Sequence, residues 1–208
     1  MSAGEIRCLV TGATGYVGSR LVPRLLDCGY RVRAMARYPD KLADVPWRDR
    51  AELVRGDLGD RDSLLAGFAG VDVVYYLVHS MGTSKDFGAD EGRAAHNVVT
   101  AARRAGVRRL VYLSGLHPPG TQLSAHLESR KAVGESLLGS GIETIVLQAG
   151  VVVGSGSASF EMIRHLTDRL PVMTTPKWVH NKIQPIAVGD VLHYLVAAAT
   201  AELPSSRT

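Results

Sequence analysis

Two cysteines, three phenylalanines and two tryptophans in 208 residues close off several classes of protein at once. Cys8 lies inside a first apolar run and Cys28 near the end of a helical stretch. Both are read as buried thiols, with neither a disulfide framework nor zinc-ligand spacing, and no metal site is expected. Aromatics make up only 6% of the chain, and the net charge of +4 is spread over many arginines rather than drawn into a stripe. That is not the footprint of a nucleic-acid binder. The local clusters Arg103-Arg104 and Arg108-Arg109 flank a helix C-terminus, where the helix dipole favours cations. No apolar run reaches the roughly 18 residues of a membrane span, and no signal peptide precedes the first strand. Neither membrane nor nucleic acid is therefore expected as a partner, and the expected location is the reducing cytoplasm. Repeats, linkers and low-complexity tracts are missing too. One domain over residues 1–208 is expected, with a polar tail from about 201.

What the chain does have is alternation of strand and helix signals, which predicts an α/β fold with a parallel sheet covered on both faces. Strands are expected at Ile6–Val10, Arg31–Ala36, Ala51–Arg55, Val71–Val78, Arg109–Leu113 and Ile142–Leu147. Helices are expected over Asp60–Phe68 with Asp60 as N-cap, over Asp86–Ala105 closed by Gly106, and over Ser124–Leu138. The remainder is less regular: a Gly/Ser turn at Gly154–Ser157, a helix over Phe160–Arg169, a short segment near Val172–Thr174, then Lys182–Ala187 and a helix from Val188 to Thr200. The right-handed crossover rule makes this a Rossmann-type, doubly wound sheet with ligands at the carboxyl ends of the strands.

The stretch with the most chemistry is Thr11-Gly12-Ala13-Thr14-Gly15-Tyr16-Val17-Gly18, between the first strand and an amphipathic run. Glycines let backbone approach a pyrophosphate, and the free N–H groups of the following helix point at it. Gly12 allows the tight turn, Gly15 the close approach, and Gly18 the packing of the helix. The spacing is G-x-x-G-x-x-G rather than G-x-G-x-x-G. With the Thr-Gly-x-Thr-Gly wording, this turn resembles the short-chain dehydrogenase/reductase superfamily in its extended and atypical branches.

Val71–Met81, Val111–Leu116, Leu123-Ser124-x-His126-Leu127-x-Ser129-Arg130, Gly154–Glu161 and Gln184-Pro185-Ile186 narrow the likeness. They resemble bacterial NAD(P)-binding proteins related to the NmrA-like group, over nearly the whole chain. The resemblance implies cofactor contacts from Thr11, Gly12, Thr14, Gly15, Tyr16, Val17 and Gly18, with Asp57 and Leu58 near the adenine, Leu77 beside the nucleotide and Lys131 on the nicotinamide ribose. Arg37 follows the second strand, where an acidic residue accepts the ribose hydroxyls of NAD. A guanidinium there attracts a 2′-phosphate, so NADP is the expected cofactor, with NAD as the alternative.

Relatives use a Ser after the fifth strand and Tyr-x-x-x-Lys on the next helix to move a proton with the hydride. Ser114 and Lys131 fit as the catalytic pair, but Leu127 stands where the tyrosine belongs. Two outcomes follow. The chain is an atypical NAD(P)-dependent oxidoreductase acting on a small carbonyl, enone or quinone-like substrate, its proton coming from water or a histidine such as His126 or His79. Alternatively it is a dinucleotide-binding redox sensor acting through a regulatory protein partner. A nucleotide-sugar epimerase or dehydratase ranks third. Trp178, in the Pro171–Asn181 region, is a candidate for lining the nicotinamide pocket, and analogy suggests a homodimer through the helices at 86–105 and 124–138.

Overall fold

The computed structural model describes residues 3–78, 87–117, 120, 123–169, 184–202 and 205–208. Strand β1 (Arg7–Thr11) is buried on both sides: Cys8 and Val10 join one apolar cluster and Leu9 the other. Cover on both faces is why the strand is a nearly continuous apolar run instead of an alternating one. β2 (Arg31–Ala36), β3 (Glu52–Arg55), β4 (Val73–Tyr76), β5 (Arg109–Gly115) and β6 (Glu143–Ala149) complete a six-stranded sheet in the order β3-β2-β1-β4-β5-β6. All its pairings are parallel. The order reverses between β1 and β4, which makes the sheet doubly wound, as the sequence predicts.

Helix α1 (Gly18–Asp27) covers one face, and α2 (Arg61–Phe68), α3 (Phe87–Ala105) and α4 (Ala125–Leu138) cover the other. After β6 come β7 (Val151–Val153), α5 (Ala158–Arg169), β8 (Pro185–Ala187) and α6 (Val188–Ala197), the last packing beside α1. Helix ends follow their sequence signals. Asp60 caps α2 by accepting from the N–H groups of Asp62 and Ser63, and Gly106 takes φ +69° beyond α3. The Ser124 hydroxyl accepts from Leu127 N–H at the start of α4.

Several expectations are corrected. β5 and β6 run two residues further than expected, so Ser114 lies within a strand rather than after it. The irregular segment after β6 contributes a second small parallel sheet, β7 with β8. Gly150 makes that bend because a Cβ there would stand 2.1 Å from the Gln184 carbonyl oxygen. The tail is not free: Arg207 exchanges backbone hydrogen bonds with Thr144 and Val146, and Ser206 Oγ accepts from Thr144 N–H at 3.0 Å. The open edge of β6 offers unpaired backbone groups, and an extended polar segment satisfies them as well as an apolar one does. Arg109 is no surface charge. It is 8% exposed, donates to the Ala198 and Ala201 carbonyls at 2.7 Å each, and pairs with Glu143 at 2.7 Å. His79–Met81, Val172–Thr174, Lys182 and the Pro171–Asn181 region with Trp178 lie outside the described residues.

Cys28 is also a correction, since it is exposed rather than buried. It is the C-cap of α1, with its N–H on the Arg24 carbonyl and the next N–H, of Gly29, on the Leu26 carbonyl, so the helix has ended before its side chain can reach the core. Cys8 is fully buried, and burial pushes its thiol up to about 12. A thiol reagent at neutral pH is therefore expected to label one cysteine in the folded protein and two in denaturant. Rapid labelling of both in the native state would contradict this packing.

Candidate functional site

At the reversal point the sheet opens into a cleft of about 1080 Å³, bounded by the turn after β1, the ends of β2, β3 and β4, and the first turns of α3. That is at the upper end of the range for small-molecule sites, roughly 300–1,000 Å³. Its floor is set by a suture that the sequence does not announce. Thr11 Oγ1 donates to the Tyr75 carbonyl at 2.9 Å and accepts from Leu77 N–H at 3.1 Å, tying the ends of β1 and β4 together. The hydroxyl is thus used inside the protein, and Thr11 and Leu77 reach the cleft as one unit.

The glycine turn has the form that anion binding requires. Gly12 sits at φ +68°, against the Leu77 backbone. Among the described residues, a Cβ on Gly15 would meet only the Gly12 carbonyl oxygen, at 3.2 Å, and Gly15 lines the cleft. A Cβ on Gly18 would stand 2.3 Å from the same oxygen, so that glycine serves packing. Val17 is the N-cap of α1 and supplies no side-chain cap, and no acidic residue stands in the first turn. Among the described residues, the N–H groups of Tyr16, Val17 and Gly18 make no hydrogen bond. The later turn at Gly154–Ser157 differs. Gly156 N–H is taken by the Glu161 carboxylate at 3.1 Å, and this bond leads in holding that carboxyl below its ordinary range. Of these two glycine turns, it is the first that is left uncapped for a phosphate.

Thr11, Gly12, Thr14, Gly15, Arg37, Asp57, Leu58 and Leu77 all line this one cleft. Tyr16, Val17 and Gly18 do not, and of them only the backbone faces the turn. The Tyr16 ring lies under the Arg20 guanidinium at 4.0 Å and its hydroxyl packs against Gly154. Arg20 also donates to the Ser155 carbonyl at 3.0 Å, so Tyr16 and Arg20 fasten the nucleotide turn to the later glycine turn. Arg37 is exposed and makes no ion pair among the described residues. Asp57 Oδ1 accepts from Gly59 N–H at 2.8 Å, shaping the loop that carries Leu58.

Sequence reading missed Asn97, Glu91, Met35 and Tyr76, all of which line the cleft. Asn97 Nδ2 donates to the Leu58 carbonyl at 3.0 Å and so holds the β3–α2 loop against α3. A lone amide among the alanines and valines of α3 was the available signal. Glu91 is buried and accepts from the Ser129 hydroxyl of α4. Burial pushes the Tyr76 phenol well up, with Tyr112 and Glu91 adding to it, so this cluster keeps its tyrosine protonated.

The expected catalytic pair does not meet in the cleft. Ser114 is 2% exposed, and its Oγ has no hydrogen-bond partner of good geometry among the described residues. Its nearest polar neighbour on the same face of β5 is the Tyr112 hydroxyl, which donates to the Arg130 carbonyl at 3.3 Å. Lys131 is half-exposed on the outer side of α4 and pairs with Glu135 at 3.7 Å. Leu127 packs over the end of β5: its Cδ2 would lie 2.6 Å from a Cβ on Gly115, the residue after Ser114. Arg130, three residues on, reaches the end of β5 and donates to the Leu113 carbonyl at 2.9 Å. His117, given no role by the sequence, sits there too. Its Nδ1 lies 3.0 Å from the Gly115 carbonyl and its Nε2 3.1 Å from Gln148 Nε2.

Comparison with known proteins agrees with this geometry. A family profile described as NAD(P)H-binding matches residues 12–144, well over half of the chain and the whole of the cleft wall from Gly12 onward. The 3β-hydroxysteroid dehydrogenase/Δ5→4-isomerase of Mycobacterium tuberculosis is 35% identical over 119 residues, which are 52% of this chain and 31% of that protein. The chain thus spans about a third of the length of that curated relative. The fold resembles the Bordetella bronchiseptica enzyme WbmH in complex with NAD+, at TM-score 0.74 and 20% identity over 93% of this chain and 72% of the other. It also resembles the Citrobacter sp. triphenylmethane reductase complexed with NADP(H), at TM-score 0.64 and 22% identity over 78% and 55%. Among the described residues, no helix is long and apolar enough to cross a membrane. With an uncapped glycine turn at the switch point of a doubly wound sheet, and a matching profile across it, the chain belongs to the NAD(P)H-binding family of Rossmann-fold proteins.

Proposed function

We propose that the protein is an NADP(H)-preferring oxidoreductase that reduces a small carbonyl, enone or quinone-like compound. The observation that carries this reading is the pairing of an uncapped glycine turn with Arg37, a cation that makes no ion pair among the described residues, on the cleft wall where an NAD-selective protein would hold a carboxylate. A bound dinucleotide supplies hydride at its nicotinamide ring. The chain's own residues then do the rest. The N–H groups of Tyr16 to Gly18 hold the pyrophosphate, Arg37 binds the 2′-phosphate, and Asp57 and Leu58 border the adenine. Leu77 lies along the nucleotide, and Lys131 swings from Glu135 to the nicotinamide ribose. The hydroxyl of buried Ser114 hydrogen-bonds the substrate oxygen, and water supplies the proton.

Calorimetric titration with NADPH and NADH tests the cofactor half. Loss of one charge-assisted, bidentate contact is worth about 1.5–3 kcal/mol, so Arg37→Ala is expected to weaken NADPH binding by roughly 10- to 150-fold while leaving NADH nearly unchanged. Equal affinity for both nucleotides in the parent protein would overturn the preference. Binding of neither would overturn the assignment itself.

A second reading has its own observation. Leu127 covers Gly115 at the place where relatives carry their proton donor, which suits a redox sensor of the NmrA type that binds the nucleotide without turnover. Its output would be a regulatory protein partner meeting a nucleotide-dependent surface. Steady oxidation of NADPH in a carbonyl screen would exclude it.

A further inference from the structure

We infer that Ser114 and Gln148 form a two-donor subsite for a neutral carbonyl oxygen, with His117 as the residue that aims the Gln148 amide. This rests on the oxidoreductase reading above and supplies what Leu127 lacks.

In the parallel pairing of β5 with β6, Ser114 is opposite Gln148. Paired residues of neighbouring strands project from the same face of a sheet, so the two side chains stand side by side at its carboxyl edge. Among the described residues, one is a buried hydroxyl beside the Tyr112 phenol with no partner of good geometry, and the other is half-buried and makes a single hydrogen bond. That bond fixes its direction. A carbonyl can only accept, so the His117 nitrogen facing Gly115, Nδ1, carries the proton. Nε2 is then an acceptor, and the Gln148 atom 3.1 Å away is its amide nitrogen. One Gln148 N–H is spent on His117, which leaves the second N–H as a donor. The glutamine cannot turn its carbonyl oxygen to this side without facing the lone pair of His117.

Two donors converging on one oxygen suit charge that develops there during hydride addition. The new C–H bond forms at the carbonyl carbon, the C=O π pair moves onto oxygen, and the nucleotide is oxidised. Ser114 and Gln148 hold that oxygen by hydrogen bonds while a water molecule protonates it and leaves as hydroxide. Gln148 needs no proton of its own to give, which is why the subsite can work beside Leu127. His117 touches no substrate and acts only through Gln148, as a positioning residue.

The test uses isotope-labelled protein saturated with NADP+ and titrated with acetophenone, a neutral ketone with one oxygen. The two Gln148 side-chain amide protons, identified by their loss in Gln148→Met, are expected at separate positions, and one should move as the ketone binds. In His117→Phe the two should collapse toward the positions of a solvated glutamine and cease to respond. Gln148→Met should weaken acetophenone by roughly 2- to 10-fold, the worth of one hydrogen bond, while leaving the melting temperature and the NADP+-induced shifts of Gly12 and Gly15 as they are. Gln148 protons that do not respond to the ketone, or that stay fixed in His117→Phe, would overturn the subsite. The Gly12 and Gly15 shifts report the nucleotide separately, so failure of cofactor binding is seen as such. Should His117→Phe not fold, Gln148→Met decides alone: an unchanged ketone affinity would overturn the proposal.

Discussion

Gly18→Val is expected to abolish nucleotide binding and to lower stability together. Any Cβ at this position stands 2.3 Å from the Gly12 carbonyl oxygen and 2.9 Å from its carbon, both backbone atoms with no freedom to rotate aside. A side chain can be accommodated only if α1 withdraws from the turn or the turn unwinds, and either move misdirects the N–H groups of Tyr16, Val17 and Gly18. Forced overpacking of backbone belongs to the few mechanisms whose cost exceeds about 4 kcal/mol, which corresponds to an affinity loss of roughly 10³-fold if it falls on the binding-competent turn. Gly15→Ala is the informative contrast. Its Cβ meets the Gly12 carbonyl oxygen at 3.2 Å rather than 2.3 Å and otherwise points into the cleft, so the melting temperature should fall far less than in Gly18→Val while NADPH affinity drops. Calorimetry and thermal melts on the pair distinguish the two uses of glycine. A Gly18→Val protein that binds NADPH normally would refute this assignment.

Arg109→Ala is expected to cost about 3–5 kcal/mol, the range for breaking a buried ion pair from one side. The guanidinium holds the Ala198 and Ala201 carbonyls beyond the end of α6 and the Glu143 carboxylate at the start of β6. Removing it leaves those acceptors without a donor and frees α6 from the sheet. At roughly 2–4 °C per kcal/mol for a chain of this size, the melting temperature should fall by about 6–20 °C. Arg109→Met combined with Glu143→Met should recover part of the loss, because apolar replacement of both partners removes the unpaired charge. A single variant that melts within about 2 °C of the parent would show that the pair is not a structural lock.

Most of the sheet was legible because its inner strands, β1, β4 and β5, are apolar runs long enough to be buried on both faces. The punctuation between the runs, Asp60, Gly106 and Ser124, is local chemistry that works the same way in any fold. The cleft was legible for the same reason: a turn that needs φ +68° at Gly12 is written in the chain itself. Errors came where a residue's fate depends on something distant in sequence. Cys28 sits on an apolar-looking helix but past its last turn. Arg109 looks like a dipole partner and is a buried clamp on residues ninety positions away. The polar tail has no strand signal, yet the vacant edge of β6 gives it one.

The amino-acid sequence by itself determined the α/β class, the doubly wound parallel sheet with its ligand site at the carboxyl ends of the strands, the glycine turn after β1, and the absence of a tyrosine at position 127. These depend on periodicity, spacing and residue type, which are properties of short stretches. Tertiary structure alone decided that Thr11 spends its hydroxyl joining β1 to β4, that Lys131 faces outward while Arg130 reaches β5, and that Ser114, Gln148 and His117 come together. Each of these is a contact across strands or between a helix and the sheet. The rotation of a helix about its axis and the register of one strand on the next are set by how the whole core packs, and no local pattern of residues encodes them.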